Sequence, residues 1–183
     1  MKMPFDSKEA AQLNKEIFAC IYYYSLLESH ELAKIHGTYE SYQGSPISKG
    51  KLQFDFWDVE PLQQVGKNEE TLKLDWNTLK ENIKNNGGVR NSLLVAPMPT
   101  ASTAQILGNT ECFEPNTNNI YTRRTLAGDF MVVNREMQKD LIKIGVWNDT
   151  MKDWIIANRG SLAPIPGIPK HIKDIYKTAW EMS

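Results

Sequence analysis

The stretch Ser92-Leu93-Leu94-Val95-Ala96-Pro97-Met98-Pro99-Thr100-Ala101-Ser102-Thr103-Ala104-Gln105-Ile106-Leu107-Gly108 reads as an apolar strand, a proline-stopped loop and a short helix closed by glycine. Pro97 and Pro99 end the strand, because proline has no amide hydrogen for a ladder and its φ is fixed. Thr100, Ser102 and Thr103 then bring small hydroxyls to the point where the first N–H groups of a helix have no internal partner. Two readings fit these residues. An anion such as a phosphate can bind the free donors, or Ser102 and Gln105 can form a capping box that satisfies the backbone without a ligand.

Working outward, Asn118 to Arg124 and Asp129 to Val133 read as two extended runs flanking Leu126-Ala127-Gly128, a hairpin or tight bend. Arg123 and Arg124 could meet a phosphate; pairing with Glu111, Glu114 or a neighbouring segment is the expectation, since Arg is a strong structural partner for carboxylates. Asn134 and Asn148 predict caps for helices from Arg135 to about Ile144 and from Asp149 to about Asn158. Pro164 to Pro169 reads as a rigid linker, and the helix beginning near Lys170 is expected to run to the end of the chain.

On the other side, Ser7 to about His36 predicts one long helix, with Leu13, Ile17, Ile21, Tyr24 and Leu27 as its apolar stripe and Gly37 as its stop. Tyr22, Tyr23 and Tyr24 point around that helix and read as packing residues. Gly37 to Gly50 has the turn chemistry of an ordered surface connection. Gln63 to Thr71 is polar and aperiodic, a mobile surface loop. Asp75 or Asn77 caps a helix through Lys84 with Leu79 and Ile83 inward, ended by Asn85-Asn86-Gly87-Gly88. Trp57, Trp76 and Trp147 are expected to be packing anchors whose indole N–H finds a partner.

With 183 residues and 41% apolar side chains, the chain has the size and composition of one domain with a core. Its net charge is −1 and its 21 basic residues are dispersed, which gives no footprint for nucleic acid or an anionic membrane. No apolar run approaches the ~18 residues of a membrane span, and MKMPFDSKE lacks the apolar core of a leader, so the cytoplasm is the expected location. The two cysteines, Cys20 and Cys112, are far apart and in no disulfide or zinc spacing, so both are expected as reduced thiols. Both are expected to be chemically inert. His30, His36 and His171 are scattered, so no metal site is expected.

Five words of the chain carry a family resemblance: PFDSKEAAQLNKEIFACIYYYSLLES (Pro4 to Ser29), YESYQGSPISKGKLQFDFWDV (Tyr39 to Val59), RNSLLVAPMPTASTAQILGNTE (Arg90 to Glu111), EPNTNNIYTRRTLAGDF (Glu114 to Phe130) and IYKTAWEMS (Ile175 to Ser183). In this order they resemble the large, catalytic subunit of class I ribonucleotide reductase, in the later part of its barrel. The resemblance implies an α/β fold, a helix-rich partial segment of the ten-stranded α/β barrel, with residues 1–183 inside that one domain. It also implies that Pro99, Thr100, Ala101, Ser102 and Thr103 hold the diphosphate of a ribonucleoside diphosphate, which makes phosphate binding the favoured reading of the loop.

The words of the family that carry a radical cysteine, a redox cysteine pair, a tyrosine relay and an ATP-binding lobe have no match here. No catalytic residue is therefore expected in this chain, which reads as a piece of a reductase and inactive alone. The parent enzyme implies a radical-generating, metal-containing small subunit, a thiol reductant and the remaining large-subunit segments as partners, with no cofactor bound directly by these residues. Two other readings stay open: a non-catalytic nucleotide-binding or assembly module, and a gene fragment without function.

Overall fold

The hydroxyl of Ser7 accepts a hydrogen bond from Ala10 N at 3.0 Å and opens helix α1, Lys8–His36. Gly37 ends it at φ 77°, in the left-handed region open to glycine, with its N–H on Ala33 O at 2.8 Å. The computed structural model describes residues 1–66 and 71–182. Their contacts group into two units, Gln12–Ala96 and Met1–Ala11 with Pro97–Ser183.

In the unit Gln12–Ala96 the buried face of α1 carries Leu26, Ser29, His30 and Ala33, continued by half-buried Tyr22 and Tyr23. This corrects the expected stripe: Ile17, Ile21 and Tyr24 are exposed. The helix carries two apolar faces, and the elements of this unit cover the one turned to Trp76. Trp76 is the centre of that core, with the rings of Tyr22, Tyr23 and Phe54 at 5.7, 5.0 and 5.0 Å. Its indole N–H donates to Leu62 O at 2.8 Å, as expected of a buried tryptophan. Trp57 departs from that expectation and is 67% exposed; Trp147 packs half-buried against the core of the other unit.

Helix α2, Trp76–Asn85, starts at Asp75, whose carboxylate accepts from Thr78 N at 3.0 Å, and buries Leu79 and Ile83. It ends at Gly87-Gly88, where a Cβ on Gly88 would lie 2.6 Å from Thr38 Cγ2 and 2.7 Å from the Tyr42 ring. That close approach lets Tyr42 donate its hydroxyl to Ile83 O at 3.1 Å and anchors the Gly37–Gly50 connection in the core. Strands β1, Gln64–Val65, and β2, Leu72–Lys73, pair antiparallel, Val65 opposite Leu72. Val65 is buried, so this part of the expected surface loop belongs to the core, while the part over residues 67–70 lies outside the described residues.

The expected strand at Leu93 to Val95 does not form. Residues 92–100 have no regular structure, Leu93 is 89% exposed, and Leu94 alone packs on the core. A strand needs a neighbour to take its N–H and C=O groups, and among the described residues none lies beside this run.

In the other unit, β3, Ile120–Thr125, and β4, Gly128–Val133, form the expected hairpin, Thr125 opposite Gly128 across Leu126-Ala127. Helices α4, Arg135–Lys143, and α5, Asp149–Ala157, are capped as read from sequence, Asn134 accepting from Met137 N at 3.2 Å and Asn148 from Met151 N at 2.8 Å. Met137, Leu141 and Ile155 form the core with Leu162, Ile165 and Ile168, so the proline-rich linker contributes apolar side chains as well as stiffness. The last helix, α6, Lys170–Ile175, is shorter than expected: Tyr176 caps it and a 3-10 turn follows at Ala179–Glu181. The Tyr176 hydroxyl donates to Asp140 at 2.6 Å; burial and that carboxylate push its ionisation far above the ordinary phenol range.

Candidate functional site

Helix α3, Ala101–Leu107, begins the built part of the loop. Its N-cap is Thr100, a residue other than glycine in the left-handed region (φ 53°, ψ 30°), and no side chain caps the end. The first helical bond runs from Ala104 N to Thr100 O at 2.7 Å, so the N–H groups of Ala101, Ser102 and Thr103 have no partner inside the helix. Pro99, Thr100, Ala101, Ser102 and Thr103 are all exposed, and Ala104 behind them is buried.

The capping-box reading of Ser102 and Gln105 is not borne out. Ser102 sits inside the first turn instead of at the cap, and the amide of Gln105 turns away to donate to Glu111 at 3.2 Å. At the other end Gly108, at φ 74°, donates to Gln105 O at 3.2 Å and Asn109 N reaches Ala104 O at 2.8 Å, closing the helix as a glycine C-cap does. The chain then doubles back, and the thiol of Cys112, itself at φ 55°, donates to Pro99 O at 3.7 Å.

Arg124 finds its carboxylate on the neighbouring strand, one of the expected alternatives. Arg124 faces Asp129 across the hairpin at 3.6 Å, an exposed contact, and neither arginine pairs with Glu111 or Glu114. The hairpin register places Arg124 opposite Asp129, a cross-strand relation that cannot be read until the turn is fixed. Both thiols are free; Cys20 is half-buried against the Trp76 core and Cys112 is exposed. Among the described residues no group of three or more His, Cys, Asp and Glu side chains could hold a metal, and no helix is long and apolar enough to cross a membrane.

A surface cavity of about 520 Å³ lies in the same unit, lined in part by Asn118, Asn158, Arg159, Trp180 and Glu181. Glu181 is not poised there as an acid. Burial pushes its carboxyl up, but Thr178 N–H at 2.7 Å and the hydroxyls of Ser161 and Thr178 at 2.7 and 2.8 Å outweigh burial and hold it below the usual range. None of Pro99 to Thr103 lines this cavity.

The family of the ribonucleotide reductase barrel domain matches residues 1–183. The chain belongs to that family. It is 56% identical over 182 residues to a ribonucleoside-diphosphate reductase large subunit of Dictyostelium discoideum, covering 100% of this chain and 20% of that protein. A large subunit of Caenorhabditis elegans is 55% identical over 183 residues, of which the chain covers 22%. A solved structure, the class Id ribonucleotide reductase alpha subunit of Actinobacillus ureae, superposes with a TM-score of 0.60 at 24% identity, over 97% of this chain and 24% of that one, and supports the fold. The chain thus spans about a fifth of the length of these reductase large subunits. Sequence reading singled out the stretch from Pro99 to Thr103 but missed Cys112 as a contact of Pro99 and Glu111 as a contact of Gln105 in the helix after it. The spacing of Gln105 and Glu111 across Gly108 belongs to no regular period, so the signal was absent from the pattern.

Proposed function

We propose that this chain supplies the wall of a ribonucleoside-diphosphate reductase that holds the substrate's diphosphate, with Pro99, Thr100, Ala101, Ser102 and Thr103 as its contacts. The observation that carries the reading is the uncapped start of α3: the N–H groups of Ala101, Ser102 and Thr103 lack helical partners, and small hydroxyls stand exposed beside them. A helix terminus attracts an anion by only about 0.3–1 kcal/mol per interaction in the open, so several donors act together. Their work is positioning: a diphosphate fixed at one end of the nucleotide sets the ribose in place for chemistry carried by residues outside this chain. No residue of the chain is assigned a catalytic role.

On this reading residues 1–183 are part of one barrel domain. Its partners are the remaining large-subunit segments, a radical-generating, metal-containing small subunit and a thiol reductant, and the enzyme converts ribonucleoside diphosphates to deoxyribonucleoside diphosphates in the cytoplasm. The membership of the family and the names of its relatives support this, and two unpaired thiols suit a reducing compartment.

The test is the double substitution Ser102→Ala with Thr103→Ala in the complete large subunit, titrated with a ribonucleoside diphosphate in a calorimeter. Affinity should fall at least about tenfold, the scale of losing one hydrogen bond to a charged group. Equal affinity in two folded proteins would reduce the loop to a structural helix start. Supplied with substrate, small subunit and reductant, the 183-residue chain alone should give no deoxynucleotide. Turnover that responds to replacing Cys20 or Cys112 would overturn that expectation.

A further inference from the structure

The loop that enters α3 has no regular structure to hold it. Residues 92–100 pair with no strand among the described residues, and Thr100 sits in a left-handed conformation that crowds a Cβ against the backbone. Two side-chain contacts reach this region from one place, the return segment Asn109–Phe113. Glu111 accepts from the Gln105 amide at 3.2 Å and so fixes the middle of α3. Cys112 donates to the carbonyl of Pro99, the residue immediately before the strained Thr100, at 3.7 Å. Cys112 shares Thr100's left-handed backbone, at φ 55° against 53°, so each end of the thiol contact lies at or beside a backbone turn that sterics disfavour. The return segment is held in turn by the glycine C-cap, through Gly108 N on Gln105 O and Asn109 N on Ala104 O.

We propose that the return segment is a brace for the Pro99–Thr103 loop, with Glu111 and Cys112 as positioning residues that hold its free N–H groups converged on one anion. The proposal rests on the diphosphate reading of that loop. Neither residue touches the ligand. Cys112 fixes the carbonyl before the turn and Glu111 fixes the helix after it, so the three unpartnered N–H groups between them keep one arrangement without a bound ligand. A preformed site loses less ordering entropy on binding, and that difference appears in affinity and not in the chemical step. A thiol is a weak donor at this distance and a hydroxyl is a better one, so serine can replace Cys112 and an apolar side chain cannot.

The experiment uses the complete large subunit with its small subunit, and measures kcat and KM for a ribonucleoside diphosphate beside the melting temperature. Cys112→Val and Glu111→Ala should each raise KM about three- to tenfold with kcat within about twofold, the scale of one modest hydrogen bond. Cys112→Ser should restore the KM of the parent. Amide exchange of Ala104, whose N–H is bonded to Thr100 O, should quicken by a similar factor without ligand in Cys112→Val and stay unchanged in Cys112→Ser. Unchanged KM in both apolar variants, with the fold intact, overturns the brace; so does equal behaviour of the serine and valine variants at Cys112. The Ser102→Ala, Thr103→Ala protein separates the two levels. If it raises KM while the brace variants do not, the brace alone fails; if it leaves KM unchanged, the diphosphate reading fails and the brace falls with it.

Discussion

Asn119 and Asn134 hold each other twice: Asn134 N donates to Asn119 O at 2.8 Å, and the Asn134 amide donates to the Asn119 side-chain oxygen, also at 2.8 Å. One residue opens the hairpin and the other caps α4, so the contact joins the two ends of a strand pair to the start of the next helix. Asn119 is 1% exposed and its amide also donates to Gly160 O at 2.9 Å and Tyr176 O at 2.7 Å. Asn119→Asp removes both donors and aims a carboxylate at two carbonyls. It should destabilise the protein by more than about 3 kcal/mol, since a buried charge without a partner is costlier than a lost neutral bond. Urea unfolding checks this, and a loss under about 1 kcal/mol would show that water reaches the site.

Gly160 and Gly145 both lie in the left-handed region, at φ 82° and 75°, yet they should respond differently to alanine. A Cβ on Gly160 would stand 2.0 Å from Asn118 Oδ1 and 2.5 Å from Asn119 N, whereas nothing lies within 4 Å of one on Gly145. Gly145→Ala should cost only the backbone term, roughly 1–2 kcal/mol. Gly160→Ala must also displace the asparagine pair and should yield little folded protein. Thermal melts of the two variants side by side settle the comparison.

Trp76 and Trp57 offer a second contrast. Trp76→Phe keeps most of the packing but leaves Leu62 O without its 2.8 Å donor, and should cost on the order of 1–3 kcal/mol. Trp57→Ala, at a side chain 67% exposed, should change stability by no more than about 0.5 kcal/mol. Chemical denaturation with tryptophan fluorescence, calibrated on each variant, measures both.

Glu181 makes a pH prediction. Its carboxyl lies below the ordinary value in the folded protein: burial raises it, and the Thr178 N–H, the Ser161 hydroxyl and the Thr178 hydroxyl together lower it further than burial lifts it. A depressed folded value means stability that is present above the unfolded carboxyl range, about pH 4.3, and lost as pH falls through the folded value. Glu181→Gln should therefore be less stable at neutral pH and show a shallower loss between about pH 5 and 3. Melting curves across that window check it; parallel acid limbs in the two proteins would refute it.

Much of the second half of the chain was legible in sequence because its signals are local. Asn134 and Asn148 cap the helices they precede, Thr125 to Gly128 closes the hairpin, and Gly108 ends α3. Each depends on residues within one turn of itself, so a short window contains the cause. The start of α3 was located for the same reason, although which hydroxyl would cap it was misread: Ser102 falls inside the helix and Gln105 finds Glu111.

What the sequence by itself determined, then, is where most of the helices and the hairpin turn begin and stop, because capping, proline and glycine act through neighbouring backbone, and the ordered words that place the chain in the ribonucleotide reductase barrel family. The tertiary structure alone decided which of α1's two apolar faces is buried, whether Leu93 to Val95 finds a strand to pair with, and which side chains hold the Pro99 loop. Burial, ladder pairing and a contact such as Cys112 with Pro99 all depend on what another segment brings within reach, and no local pattern encodes that segment's position.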